Sequence, residues 1–236
     1  MTEEEKASLF DGIEQLLSIY NRLNPIHDDG TFDAAAVKQC IAEMTDCILQ
    51  DKAESSVFAQ WMTEQSDFMK SPASTHFHGN VEAGLAAHSL KVLHQALCFA
   101  RPIMENFWQC KLKDCYTISA EDIFVSAIAH DFCKADTYRI EYRNQKDIFG
   151  NWKKVPNYKT RSDSRNLGHG NESVLRLLAL MPSFIKKRHV IEAISRHMGF
   201  SDLSDSESYN YSNFLQNPLV ILIQLADETA AQWYNL

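Results

Sequence analysis

The chain has no CxxC pair, no internal repeat, no low-complexity stretch and no apolar run long enough to cross a bilayer. Each absence removes a class of function. The six cysteines, at 40, 47, 98, 110, 115 and 133, show no zinc-finger spacing. Most fall in helical-looking segments, where a free thiol acts as a small hydrophobe. They read as reduced, which points to a cytoplasmic setting. The N-terminus, MTEEEKASLF, is acidic and lacks the apolar centre of a secretory signal. The longest apolar run, from Leu219 to Ala226, falls far short of the roughly 20 residues that a membrane span needs. A basic excess is missing too. The formal charge of -8 argues against a protein that grips long nucleic acid, though not against one that takes a small anionic ligand.

What is present is ordinary in bulk. At 236 residues, 45% hydrophobic and 23% charged, the chain is large enough for one domain with a substantial core, or two small ones. Helical signals follow one another. Thr2 and Glu5 form a capping box ahead of Leu9, Ile13, Leu16, Leu17 and Tyr20 at helical spacing. Asn24-Pro25 and Asp28-Asp29-Gly30 break that helix. Asp33 caps a second, through Val37, Ile41, Met44 and Ile48, and a third covers Ser56 to Met69. The remaining expected helices are Val81 to Ala100, Ala120 to Asp131, Asn171 to Leu180, Pro182 to His197 with Gly199 as its stop, and Pro218 to Trp233. Residues 138–168 resist a helical reading; a β-hairpin around Gly150 is compatible with them. The expected fold class is all-α, with residues 1–70 a helical extension packed on a core formed by 71–236.

The chemistry concentrates in a few polar residues that sit among apolar ones. In IFVSAIAHDFCKAD, His130 and Asp131 end an almost wholly apolar helix. Burying such a pair without partners costs several kcal/mol or more, and a divalent ion would neutralise it economically. His88 lies mid-helix in GLAAHSLKVL. His169 stands between two glycines in LGHGNES, which allow close backbone approach. His197 falls in the last turn of its helix, and Asp227 is embedded in LVILIQLADETAA. Imidazole and carboxylate donors suit borderline and hard divalent ions such as Mn, Fe, Co, Ni or Mg. Six such residues, with Asp131 able to bridge, are enough for one ion or two. Two ions a few ångströms apart suit in-line attack at phosphorus.

In this order, His88, then His130-Asp131, then Asp227, the chain resembles the HD-domain superfamily of metal-dependent phosphohydrolases, over about residues 76–233. His169 and His197 stand where the dinuclear subset of that family carries extra ligands. The phrases GLAAHSL, AIAHDFCKAD, GHGNES and ISRHMG are similar to bacterial HD hydrolases, including the HD portion of a 3'-5' exoribonuclease group. No matching OB domain is evident in the N-terminal part. The resemblance implies an HD-type helical bundle holding one or two divalent ions. One departure is visible: the family's HDxGK pattern has a glycine where this chain has Cys133, while Lys134 keeps its position.

Around the ligands, Lys134 lies four residues after His130 and, on a continuing helix, faces the same way as a cation for a substrate phosphate. His78, in STHFHGN, is a candidate proton donor, with His76 a weaker one. Asp131 completes the catalytic set. Residues 138–165 carry eight basic residues against three acidic ones, about +5 within a chain of charge -8. Arg139, Arg143, Lys146 and Lys153 would hold phosphate oxygens, and Tyr142, Trp152 and Tyr158 would stack on a base. The expected function is metal-dependent hydrolysis of a phosphate ester or diester in a small nucleotide-like or short oligonucleotide substrate, with no membrane partner and room for a homo-oligomer. The alternatives are an HD-like di-iron oxygenase and a nucleotide-binding regulatory module without turnover.

Overall fold

Local capping sets most of the helix starts. Thr2 and Glu5 satisfy one another's backbone N–H groups at 3.1 and 2.7 Å and open α1 (Glu3–Leu23). Asp33 Oδ1 accepts from the N–H groups of Ala35 and Ala36 and opens α2 (Ala34–Ile48). Asp51 does the same for α3 (Lys52–Gln60). Long α4 (Gly84–Phe107) and short α5 (Ala120–Ala129) follow, the latter with a Ser119–Asp122 capping box. A hairpin of β1 (Tyr138–Lys146) and β2 (Trp152–Thr160) separates them from α6 (His169–Leu180), α7 (Arg188–Ser195) and α8 (Pro218–Tyr234). This computed structural model describes residues 1–163, 167–204 and 208–236. Arg165, counted among the basic residues above, lies outside the described residues.

The buried side chains of α1 to α3 join those of α4 to α8 in one continuous core, from Leu9 through Leu90, Ile123 and Leu177 to Leu236. The N-terminal helices therefore share the core of the rest. Their closest link to the site is aromatic. Phe58, Trp61 and Phe68 surround Phe132, with ring centroids 5.5, 4.7 and 5.4 Å away. Phe132 directly follows Asp131, so this packing anchors the turn that carries the carboxylate.

Several expectations are corrected. The all-α reading gives way to a predominantly helical fold that includes a two-stranded antiparallel sheet, in register from Tyr138↔Thr160 to Lys146↔Trp152. Strand geometry wins because Asp147 Oδ1 accepts from Phe149 and Asn151, both at 2.9 Å, and Gly150 adopts φ 84. The third helix starts earlier than Ser56 and ends in a π-helical turn at Trp61–Gln65. α4 runs through Pro102 to Phe107, because Leu97, Ala100 and Met104 keep burying one face. The helix expected from Pro182 splits into a 3-10 turn at Pro182–Lys186 followed by α7. No helix among the described residues is long and apolar enough to cross a membrane. All six cysteines are free.

Candidate metal centre

α5 stops at Ala129, one residue short of the His-Asp doublet. Asp131 leaves helical geometry, at φ -109 and ψ 20, and a 3-10 turn follows at Phe132–Lys134. His130 and Lys134 are therefore not on one continuing helix, as expected above. Lys134 instead reaches back to Asp131, Nζ to Oδ2 at 2.6 Å. The turn is held from outside. Arg176 on α6 donates to the carbonyls of Phe132 and Ala135 at 2.9 and 2.6 Å, and is itself steadied by Glu172. Composition gave no hint of that role; the Glu172–Arg176 pair, one helical turn apart, was the available signal.

Five segments bring the expected ligands together. His88 comes from the second turn of α4, His130 and Asp131 from the residues just after α5, Asp227 from α8, His169 from the start of α6 and His197 from just beyond α7. His88 Nε2 lies 3.1 Å from His130 Nε2, 3.1 Å from Asp227 Oδ1 and 3.5 Å from Asp131 Oδ2. His130 Nε2 lies 3.3 Å from Asp131 Oδ2. Donors around an ion with bonds of about 2.1 Å stand roughly 3 to 3.5 Å apart, and this is that spacing. On the other side, Oδ1 of Asp131 lies 2.6 Å from His169 Nε2 and 3.6 Å from His197 Nε2. One carboxylate thus faces two groups of imidazoles, one with each oxygen.

The approach of α6 to the end of α7 depends on glycine. Gly168 takes φ 93 just before His169. A Cβ on Gly170 would meet the Ser195 carbonyl oxygen at 2.3 Å. Only a residue without a side chain lets His169 come this close to His197.

Hydrogen bonding orients the rings. His130 Nδ1 donates to the Ala127 carbonyl and His197 Nδ1 to that of Ile194, both at 2.7 Å. Each ring therefore aims Nε2 at the centre, the arrangement that ligating histidines use. His197 Nε2 is buried and has no hydrogen-bond partner, although a carboxylate stands 3.6 Å away. An orphaned buried nitrogen beside oxygen donors is what a cation would satisfy.

The side chains of His88, His130 and His197 are wholly buried, while His169 is 25% and Asp227 17% exposed. The centre opens to solvent on the His169 and Asp227 sides. Burial alone would raise the pKa of Asp131, but Lys134 and His130 hold it well below the usual carboxylate range. His88 and His130 likewise outweigh burial and lower that of Asp227. Burial opposes a proton on His169, yet Asp131 and Cys133 beside it lift its pKa to about 10. Asp131 and Asp227 raise that of His130 against burial in the same way. Burial lowers that of His197, only partly offset by Asp131. The carboxylate charge here is strong enough to hold protons on neighbouring imidazoles, and a divalent ion would compete for the same place. The residues fit a divalent ion: His88, His130, Asp131 and Asp227 offer nitrogen and oxygen donors at ligand spacing, buried or nearly so.

The other expected residues are placed less uniformly. His78 lies beside the centre, its ring 5.0 Å from that of His88. Burial first and then His88 push its pKa down to about 4, which disfavours the protonated form that a leaving-group acid needs near neutral pH. His76 is exposed. The hairpin mixes its cations and rings less than expected: only Lys146, over the Trp152 ring at 5.1 Å, and Lys154 share the rings' face among the described residues. Strand alternation puts Arg139, Arg143 and Lys153 on one face and Tyr142, Lys146, Trp152 and Tyr158 on the other. Glu141 pairs with Arg139 and Lys159, and Asp147 with Lys153, so part of the basic charge is already neutralised. Tyr158 is 2% exposed and packs as core, so it offers no free ring face. Tyr142 and Trp152 are exposed. Tyr138, on their face at the base of β1, lies beside Lys134, and burial raises its pKa despite that cation.

A cavity of about 890 Å³ lies elsewhere, against Thr2, Gly12, Cys47 and Ser119. None of the groups of ligating side chains found among the described residues falls there. No family model, curated protein or solved structure matches the chain. The chemistry of the centre therefore rests on its own side chains, three overlapping groups of which bring ligand atoms within 4.8 Å of one another: His88, His130 and Asp227; His130, Asp131 and His197; Asp131, Cys133 and His169.

Proposed function

We propose that this chain is a metal-dependent phosphohydrolase of the HD type, acting on a small nucleotide-like phosphate ester or diester. The observation that carries the reading is Asp131, whose two oxygens face separate groups of imidazoles, Oδ2 at 3.3 and 3.5 Å and Oδ1 at 2.6 and 3.6 Å. Such a carboxylate suits a pair of cations that share it. His88, His130 and Asp227 would hold one ion, His169 and His197 the other, with Asp131 between them. Ions held there would supply Lewis acidity for the attack of water at phosphorus.

The protein's own groups have separable tasks. His130 and His197 are oriented by carbonyls on their own helices, so they keep their place as a substrate enters. Lys134 sits 2.6 Å from Asp131, 12% exposed, and places a fixed positive charge where a phosphate oxygen would approach. His78, its pKa pushed down to about 4 and its Nε2 buried without a partner, would be free to accept a hydrogen bond from a substrate hydroxyl. The face of the hairpin that carries Tyr138, Tyr142 and Trp152 offers rings to a base.

The test is release of phosphate or a nucleotide product, screened across Mn, Fe, Co, Ni and Mg with wild type, His130→Ala and Asp131→Ala. Turnover should require an added divalent ion and fall to background in both variants while their circular dichroism stays helical. Hydrolysis that persists in both would overturn the reading.

A further inference from the structure

Cys133 stands where the HDxGK pattern has glycine, and its surroundings are not those of a packing thiol. Its sulfur belongs to a group with a carboxylate oxygen of Asp131 and a ring nitrogen of His169, all within 4.8 Å of one another. It is 3% exposed and has no disulfide partner. Its backbone is fixed at both ends: the N–H donates to Ser173 Oγ at 3.0 Å, and the carbonyl accepts from Thr137 Oγ1 at 2.7 Å. The side chain therefore leaves a rigid turn toward the same carboxylate that His169 and His197 approach. A second and independent feature stands on the same carboxylate, in the adjoining group of His130, Asp131 and His197. His197 Nε2 is fully buried, lacks a hydrogen-bond partner and lies 3.6 Å from Asp131 Oδ1.

We propose that Cys133 is a thiolate ligand of the cation site formed by Asp131, His169 and His197, and that it biases this site toward thiophilic ions. The inference rests on the metal-centre reading above and deepens it. Sulfur changes which ion is preferred. Imidazole donors already favour Zn, Co and Fe over Mn and Mg, and a thiolate widens that preference. The two halves of the centre then differ in kind: His88, His130 and Asp227 form a purely nitrogen and oxygen group, and the other half carries sulfur. As the ion binds, the thiol proton passes to solvent and the sulfur coordinates as thiolate.

The experiment uses the full chain loaded with Co(II) and read by absorption and bound-metal stoichiometry. Wild type should show the near-ultraviolet thiolate-to-cobalt charge-transfer band together with visible ligand-field bands. Cys133→Ser and Cys133→Ala should lose the charge-transfer band while keeping bound cobalt and the ligand-field bands. In competition, both variants should lose affinity for Zn by at least about tenfold while affinity for Mn changes little. A wild-type complex with ligand-field bands and no charge-transfer band would overturn the proposal and leave the metal centre standing. A charge-transfer band that survives in Cys133→Ala would assign it to another cysteine and overturn it as well. Cobalt that fails to bind, or binds equally in His130→Ala and Asp131→Ala, would overturn the metal-centre reading itself.

Discussion

Nε2 of His169 lies 2.6 Å from Oδ1 of Asp131, and Lys134 takes the other oxygen at the same distance. With 2% of its side chain exposed, Asp131 is the buried counter-charge for two cations, Lys134 at 12% and His169 at 25% exposed. Replacing Asp131 by Asn keeps the shape and removes the charge. Leaving buried charges uncompensated costs about 3–5 kcal/mol. We expect Asp131→Asn to lose stability of that order in chelator-treated protein, measured by urea unfolding. Asp227→Asn should lose distinctly less, because Asp227 is 17% exposed. Equal stability of Asp131→Asn and wild type would show that this carboxylate is not what holds the turn.

Gly170 makes a more local demand. A Cβ there would sit 2.3 Å from the carbonyl oxygen of Ser195, a distance at which backbone must move. Gly170→Ala should push α6 away from the end of α7 and separate His169 from His197. The expected result is metal affinity weaker by at least about tenfold with helicity nearly unchanged, since ligand placement is sensitive to shifts well under an ångström. Isothermal titration with Zn, alongside circular dichroism, reads both. Gly150→Ala is the control for position: its Cβ meets nothing within 4 Å, so the strain from φ 84 stays at the hairpin tip and metal affinity should be as it was.

How far such relationships can be read in advance differs from residue to residue. His130, Asp131 and Asp227 stood out because they are ionisable groups in apolar runs, and burial of such groups demands a partner. The approach of His169 to its neighbours was hinted at by the glycines on either side. The stop of α5 at Ala129 was not legible. The apolar pattern continues through Phe132, and the end is imposed by contacts from Arg176 and the Phe58, Trp61 and Phe68 rings, which are remote in sequence. The end of α4, expected at Ala100, was missed in the opposite direction: the helix continues through Pro102 because the burial of Met104 outweighs the lost backbone hydrogen bond. The hairpin's division into a basic and an aromatic face follows from simple alternation once strands are assigned. A helical bias toward an all-α fold concealed it, and cations and rings that alternate along the chain looked like one mixed surface.

That division has a functional consequence. Tyr142 and Trp152 share a face with Tyr138, and Tyr138 lies beside Lys134 at the centre. Arg139, Arg143 and Lys153 point from the opposite face. On the proposed activity, Tyr142→Ala with Trp152→Ala should raise KM for a nucleotide by about tenfold or more, given roughly 1–3 kcal/mol per base–ring stack. The same pair should leave hydrolysis of a small aryl or alkyl phosphate nearly unchanged. Arg139→Ala with Arg143→Ala should have a small effect that salt screens away. A large KM effect from the arginine pair, with none from the aromatic pair, would reverse which face meets the substrate.

Far from the centre, Asp122 supplies a pH-dependent term of known sign. It caps α5 through Ser119, lies 2.8 Å from Lys187 Nζ, and has His189 Nε2 at 3.1 Å, close enough to pair though not aligned as a hydrogen bond. Burial alone would raise its pKa, but His189 and Lys187 outweigh it and hold it at about 2, against 3.8 ordinarily. A carboxylate depressed on folding stabilises the folded state fully above its unfolded pKa, and that stabilisation is lost as pH falls through the folded value. His189 is charged only when protonated, so the gap in unfolding free energy between wild type and Asp122→Asn is compared from about pH 5 downward, where it should start at its full value. It should then shrink by about 2 kcal/mol between roughly pH 4 and pH 2, read from urea unfolding at each pH for which a folded baseline exists. A gap that stays constant down to the lowest such pH would mean that Asp122 contributes by shape and hydrogen bonding alone, with its charge adding nothing.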